Sequence, residues 1–471
     1  MSARPRIVLY NPRAVFYTMP LALLALASAL DRRRYDLVVI DGRLERDPLR
    51  TVIEAAEGAL CLGISVLTGS PIRDALEVSR AVKARRPQCA VIWGGWHPSL
   101  FAADCLAEPA IDVAVVGQGE HTFAEIVARL DAREPVAGCA GTVARRDGES
   151  VTGPARPLAD LNTLPAHDYS ILPVGRYFEL KGRRQLDYIS SQGCRFRCAF
   201  CADPAVFARA WTGLAPERVA SEAAFLKKQY RIDELAFQDE TFFTHPARVT
   251  RLAEAFLERD VALEWTATLR ADQACRMGED LFRAAVRSGL RRVMVGVESG
   301  SQETLDRLHK DMRIEQVLQT ADLCARHDVG VIFNFIVGFP GESDASIDAT
   351  LALAKRLRRM HQRFETPIFY YRPYPGNPLA DRARADGYVF PRGLEEWADF
   401  DYVGGRGPWV SAERWRQVER FKFYTRQAWQ PGAAWRWPLR AAARWRCDRD
   451  WYAFPVEKTL VELVRRPQQV S

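Results

Sequence analysis

The chain is 471 residues long, 48% hydrophobic and 27% charged, with a formal net charge of +7. That composition supplies two or three packed domains and excludes a disordered or low-complexity protein. No apolar run approaches the length needed to span a bilayer, and the ten Cys follow no secreted disulfide framework, so a reducing cytoplasm is the expected compartment.

At the N-terminus Arg4 and Arg6 precede an apolar stretch, Met19–Leu30, that ends in Ala-Ser-Ala and imitates a signal peptide. Arg6–Asn11 already reads as a strand and Pro20–Leu30 as the helix after it, so a folded segment is expected. Up to residue 135, short β-rich runs (Ile7–Tyr10, Leu37–Ile40, Ala59–Ser65, Ala90–Trp93, Val113–Val116) alternate with helical stretches such as Asp74–Arg85 and Thr122–Leu130. Five βα units in this length predict an α/β domain with a doubly wound, flavodoxin-like sheet, whose ligands bind beyond the carboxyl ends of the strands. The unusual residues fall at those ends: Asn11-Pro12, the run Ser65–Ser70 with Leu67 and Thr68, Gly94-Gly95-Trp96-His97-Pro98, and Gly117-Gln118-Gly119-Glu120. Residues 136–180 are rich in Gly, Pro and Asp, lack a long periodic segment and read as a linker.

Cys194, Cys198 and Cys201 then form a C-x-x-x-C-x-x-C triplet within Ser-Gln-Gly-Cys-Arg-Phe-Arg-Cys-Ala-Phe-Cys. Three thiolates can hold three irons of a [4Fe–4S] cluster and leave one iron open. A structural zinc site would need a fourth ligand, and no Cys or His stands near the loop; His167 and His245 are the nearest His, both well outside it. Cys61, Cys89, Cys105, Cys139, Cys275, Cys324 and Cys447 are scattered among apolar runs and read as buried thiols.

From residue 186 to about 372 the βα alternation resumes, with strands at Leu186–Ser190, Glu234–Phe237, Leu263–Thr268, Arg292–Val297, Val331–Val337 and Pro367–Tyr371, and helices such as Pro216–Gln229, Pro246–Glu258 and Ser343–Arg358. Six units are too few for a closed eight-stranded barrel, so an open, partial (β/α)6 TIM barrel is expected, with chemistry at the C-terminal strand ends. Cys194–Cys201 follow the first strand, Asp239-Glu240 end the second, Arg270 the third, Gly296–Gly300 with Glu298 the fourth, and Gly338–Glu342 the fifth.

The cysteine spacing resembles that of the radical S-adenosylmethionine (SAM) enzymes, and the strand ends before it resemble the cobalamin-binding domain of the cobalamin-dependent branch of that family. The resemblance covers about residues 5–372. It implies a [4Fe–4S] cluster on the three Cys, whose open iron takes the amino and carboxylate groups of SAM and whose reduced form yields a 5′-deoxyadenosyl radical. It implies SAM-binding roles for Phe200 and Gly338 beside adenine, Asp239 and Glu240 at the ammonium, Arg270 at the carboxylate and Glu298 at the ribose or ammonium. Asn11, Ser65, Leu67, Thr68, Gly94, Gly95, Gly117, Gly119 and Glu120 are implied to hold cobalamin. The Asp-x-His-x-x-Gly signature is absent after the first strand, which carries Asn11-Pro12-Arg13; base-off cobalamin without a protein His on cobalt is therefore expected, and His97 is given no ligand role.

Residues 373–471 carry no catalytic motif and are expected to be mainly helical, with Arg414–Trp429 amphipathic and Ala434–Trp445 rich in Trp, Arg and Ala. They hold 7 of the 12 Trp between Trp409 and Trp451, and residues 406–471 carry 14 Lys/Arg against 6 Asp/Glu, an excess that accounts for the whole formal charge. Three readings stand: a helical cap on the barrel mouth, a wall for an anionic or aromatic substrate, and a peripheral membrane surface. No nucleic-acid-binding module is recognisable. The domains expected are 1–135 (cobalamin), 136–180 (linker), 181–372 (radical SAM core) and 373–471 (helical cap or substrate region). The activity expected is a cytoplasmic methyltransferase acting on an unactivated carbon of a small molecule, served by an electron donor such as flavodoxin or ferredoxin. The alternatives are an anaerobic oxidative cyclase or ring-rearranging enzyme similar to the magnesium-protoporphyrin ester cyclase, and a non-catalytic cobalamin or redox sensor.

Overall fold

The computed structural model describes residues 4–400, 405–429 and 436–464. It divides into two compact units, one of residues 1–266 with 374–401 and one of residues 267–373 with 402–471.

In the first unit, β1 (Arg6–Asn11), β2 (Asp36–Asp41), β3 (Ala59–Ser65), β4 (Ala90–Gly94) and β5 (Val113–Val115) pair in parallel in the order β2-β1-β3-β4-β5. These strands are short apolar runs because helices cover both faces; Ile7, Leu9, Cys61, Ile92 and Val113 share one core with Leu23, Phe123 and Ile126. The chain order reverses between β1 and β3, which leaves a crevice beyond Asn11 and Ser65.

The expected linker is more than a connection. β6 (Thr142–Arg146) and β7 (Glu149–Thr152) add two antiparallel strands to the edge of this sheet, and Val174–Lys181 is a helix. Periodicity gave no warning, because the hairpin is short and only Thr142–Ala144 is buried.

The six strands expected for the second sheet all form. In the first unit β8 (Gln185–Tyr188) and β12 (Glu264–Leu269) flank β11 (Glu234–Phe237) in parallel. Between β8 and β11 lies a small antiparallel hairpin, β9 (Ser191–Gly193) with β10 (Trp211–Gly213). β12 runs on into the second unit, where it leads to β13 (Leu290–Glu298) and β14 (Gly330–Val337). The last edge comes in two pieces, β15 (Phe364–Glu365) and β16 (Ile368–Tyr370), both paired with β14; Pro367, which has no N–H, sits in the break. No described strand joins β8 to this edge, so the parallel sheet is open.

Helix starts follow local chemistry: Pro71, Pro216, Pro246 and Pro378 each stand in a first turn, and Ser343 Oγ accepts from Ser346 N at 3.2 Å. Helices Ala412–Trp429, Trp437–Asp448 and Val456–Val464 make the C-terminal region helical, as expected. Trp435 and Ala434 lie outside the described residues. One thiol differs from expectation: Cys275 is exposed, because it stands on the outer face of its helix, where Sγ donates to Gln319 Oε1 at 3.2 Å.

Candidate functional site

A cavity of about 520 Å³ opens beyond the C-terminal edge of the first sheet. Asn11, Ser65, Leu67, Gly94, Gly95, Gly117, Gly119 and Glu120 line it, eight of the nine residues singled out from the sequence. Gly95 has φ +96°, and a Cβ there would stand 3.1 Å from Val66 O and 3.2 Å from Ser65 Oγ, so only glycine leaves this wall clear. Thr68 is the exception. It is buried and its hydroxyl shares a 3.2 Å hydrogen bond with His97 Nδ1. His97 is itself fully buried, stacked on Phe101 with ring centroids 4.7 Å apart, and does not reach the cavity. Burial holds its pKa down at about 3, so the ring is neutral.

Sequence reading missed the clamp at the cavity's edge. Asn11 Nδ2 donates to Asp41 Oδ1 at 3.2 Å, and Tyr177 Oη donates to Asp41 Oδ2 at 2.6 Å. Arg43, which lines the cavity, pairs with the same carboxylate at 2.6 Å and donates to the carbonyls of Phe16 and Thr18, tying down the segment after β1.

The cavity's other wall combines the cysteine-loop region, through Gln192, Val206 and Phe207, with the end of β11, through Gln238 and Glu240. Gln118 Nε2 donates to Gln192 Oε1 at 2.8 Å, joining the two walls. The β9–β10 hairpin sets the loop's base. Gly193, immediately before Cys194, has φ +82°, and a Cβ there would lie 2.3 Å from Ala210 O. On the far side Leu379 N donates to Ala199 O at 3.0 Å and Asn377 Nδ2 to Phe200 O at 3.3 Å. Residues 374–401 thus return to brace the loop that carries Cys198, Phe200 and Cys201. A Pro-Gly-Asn-Pro turn, residues 375–378, was the available signal.

The three Cys are partly buried. Burial pushes the Cys201 thiol up to about 12, and the nearby sulfurs of Cys198 and Cys194 push the same way, a charge balance that iron reverses. Among the described residues no three His, Cys, Asp or Glu converge on a single-ion site.

Asp239 and Glu240 have different surroundings. Asp239 is buried and accepts from Ser190 N at 2.8 Å, Ser190 Oγ at 2.7 Å and Ser191 Oγ at 2.6 Å. Its carboxylate fixes the turn into β9. Glu240 accepts from Gly193 N at 3.2 Å and faces the cavity. Protein crowds its other sides, and that desolvation, with the neighbouring Asp203 and Asp239 carboxylates, raises its pKa to about 8. Asp203 is buried with neither carboxylate oxygen hydrogen-bonded. Carboxylates gathered this way fit a cationic guest such as a sulfonium or an ammonium.

The remaining predicted residues lie in the second unit. Glu298 ends β13 in the left-handed region at φ +68°, where the pairing with β14 slips by one residue. Its Oε1 accepts from Lys310 Nζ at 2.6 Å, and a Cβ on Gly296 would stand 2.5 Å from that oxygen. Arg270 Nη2 donates to Lys310 O at 2.5 Å and Nε to Asp272 Oδ1 at 2.9 Å. Arg270 and Glu298 are therefore gathered around Lys310, which sequence reading missed. A backbone held in a sparsely populated region with its charges paired is a common mark of a functional strand end. At Gly338, φ +83°, a Cβ would stand 2.3 Å from Val410 Cγ2, so the chain after residue 405 packs against this turn.

Comparison with known proteins identifies two domains. The B12 binding domain family model matches residues 9–127, and the radical SAM superfamily model matches residues 188–354. The chain belongs to the cobalamin-dependent radical SAM enzymes. Its cofactors are accordingly a [4Fe–4S] cluster, SAM and cobalamin. It is 29% identical, over 82% of each chain, to a protein named an uncharacterized methyltransferase in Pyrococcus horikoshii. It is 24% identical to the anaerobic magnesium-protoporphyrin IX monomethyl ester cyclase of a Synechocystis species, over 68% of this chain and 64% of the relative. It shares its fold, with a TM-score of 0.69 and 18% identity, with the radical SAM methyltransferase TsrM of Kitasatospora setae, solved with cobalamin and a [4Fe–4S] cluster; 82% of this chain and 78% of TsrM are covered.

Proposed function

We propose that the protein is a methyltransferase that moves a methyl group from SAM, by way of cobalamin, to an unactivated carbon of a small-molecule substrate. The observation that carries the reading is the single cavity walled on one side by the cobalamin-loop glycines and on the other by the cysteine-loop hairpin and Glu240. When bound, the cofactors supply radical generation and methyl carriage, the chemistry no protein side chain offers.

The chain's own residues bind, orient and exclude water. Gly94 and Gly95 leave backbone room for the corrin tail, Asn11 and Ser65 border it, and Leu67 presents an apolar edge. Cys194, Cys198 and Cys201 hold the cluster. Glu240 accepts the SAM ammonium; Asp239 acts one step away, by holding the Ser190-Ser191 turn. Phe200 would border the adenine, and within the second unit Lys310 holds Arg270 and Glu298 together at their strand ends. A one-electron carrier of the flavodoxin or ferredoxin type supplies the reducing electron.

The cyclase relative supports the competing reading, oxidation or ring closure without methyl delivery. Incubating the reconstituted enzyme anaerobically with methyl-deuterated SAM and a metabolite extract decides between them. The methyltransferase reading expects a product carrying the intact labelled methyl. An oxidised or rearranged product without label, formed alongside 5′-deoxyadenosine, would overturn it.

A further inference from the structure

Sixteen large hydrophobic side chains are exposed among the described residues, and six of them crowd into 24 positions near the C-terminus: Trp437, Trp445, Trp451, Phe454, Val456 and Leu460, each 40% or more exposed. The segment does not expose them for want of a core. Its inner face already packs Phe423, Tyr424, Ala428, Ala443 and Cys447 into one cluster with Trp429, Leu439, Tyr452 and Val461. The outward side chains are concentrated in one stretch of sequence, and Trp445 and Trp451 among them are in ring contact.

The charges around it are sorted by sign. Every acid from 436 to 462 is engaged within the protein: Asp448 with Arg359, Asp450 with Lys355 at 2.5 Å, Glu457 with Arg446 at 2.9 Å and Glu462 with Lys458 at 2.5 Å. Among the described residues Arg440, Arg444 and Arg449 have no ion-pair partner. Arg449 lies over the Trp445 ring at 4.8 Å, and Trp445 meets Trp451 edge-to-face at 5.5 Å. Cations therefore border the exposed indoles while the local negative charge is neutralised inward.

We infer that this face, residues 436–460, docks on the surface of an anionic lipid bilayer. Indole rings and arginine suit the boundary between headgroup and acyl chain, and an uncompensated cationic rim is complementary to anionic lipid. No described helix is long and apolar enough to cross a membrane, so the contact is peripheral. The inference is independent of the methyl-transfer reading.

Sedimentation of the anaerobically purified holoprotein with extruded vesicles tests it. Vesicles of phosphatidylcholine with phosphatidylglycerol should carry the protein down at least about tenfold more effectively than phosphatidylcholine alone, and about 1 M salt, where the Debye length is about 3 Å, should release it. Combining Trp437→Ser, Trp445→Ser and Trp451→Ser should abolish binding while leaving iron and cobalamin content unchanged. Arg440→Gln with Arg449→Gln, two changes at charged surface positions that leave the inner core intact, should weaken it by more than about tenfold. Absence of vesicle binding, equal binding to neutral vesicles, or wild-type binding by the arginine variant would overturn the inference. So would self-association through the three tryptophans, seen by size-exclusion chromatography, without vesicle binding.

Discussion

Asp239 and Glu240 show how adjacent carboxylates divide their work, because alternate residues of an extended segment point to opposite sides. Glu240→Gln should weaken SAM binding by at least about tenfold, as loss of one partner of a desolvated charge pair does, with iron and cobalamin retained; calorimetric titration with SAM checks this. Asp239→Asn should instead lower the melting temperature and the iron content, because Ser190 and Ser191 lose their acceptor. In the second unit, Lys310→Met would leave the Glu298 carboxylate buried without its cation, at a cost of about 3–5 kcal/mol, measurable as a shifted denaturation midpoint. His97 gives a pH signature. Its native pKa of about 3 lies below the ordinary 6.5, so below pH 6.5 the unfolded chain binds a proton that the native ring refuses. Stability contributed at neutral pH should fall by up to about 1.4 kcal/mol per pH unit between about 6.5 and 3, and His97→Phe should flatten that part of the profile. Urea midpoints of both proteins at pH 7 and pH 5 decide it; parallel curves would contradict the assignment.

The elements were legible wherever an apolar run of the right period met a turn signal. Ala59–Ser65 and Glu234–Phe237 stand in the structure with the bounds read from the sequence, and the helix Pro246–Glu258 does too. Site residues that follow a strand end were legible for the same reason, since the sheet fixes where the chain emerges. What was not legible depends on contacts far apart in sequence. Thr68 looks like a cavity residue beside Leu67 but turns inward to His97, and Lys310 looks like a surface lysine until Glu298 and Arg270 are seen around it. The brace at Asn377 is likewise invisible locally, because its partner carbonyl on Phe200 lies 177 residues earlier. Asn377→Ala removes that bond and the side-chain acceptor that caps Ala380 N at 2.9 Å. It should cost about 1 kcal/mol or more of local stability and lower iron occupancy, with cobalamin binding unchanged. Iron and cobalamin contents of the purified variant check this, and full iron occupancy would show that the hairpin alone holds the loop.

Across the whole molecule, organisation follows contacts more closely than chain order. Residues 374–401 return to the first unit, where Arg80 pairs with Glu395 at 2.5 Å and Trp397 packs on His97 and Phe101. The later C-terminal helices belong with the second unit. Of the tail's tryptophans, Trp409 sits 5.7 Å from the Tyr371 ring and Trp429 joins the inner cluster, whereas Trp437, Trp445 and Trp451 face outward. One segment therefore combines an inward-packed cluster with exposed apolar side chains. On the proposed reading, cobalamin at the glycine-bearing strand ends and an iron–sulfur cluster on Cys194, Cys198 and Cys201 would lie close together within the first unit. Electron paramagnetic resonance of the fully loaded protein, with cobalt as Co(II) and the cluster reduced, tests this without knowledge of the substrate. Each centre's signal should be split or broadened by the other, and a sample loaded with either centre alone should lack the effect. Two undisturbed signals from a protein carrying both cofactors would contradict it.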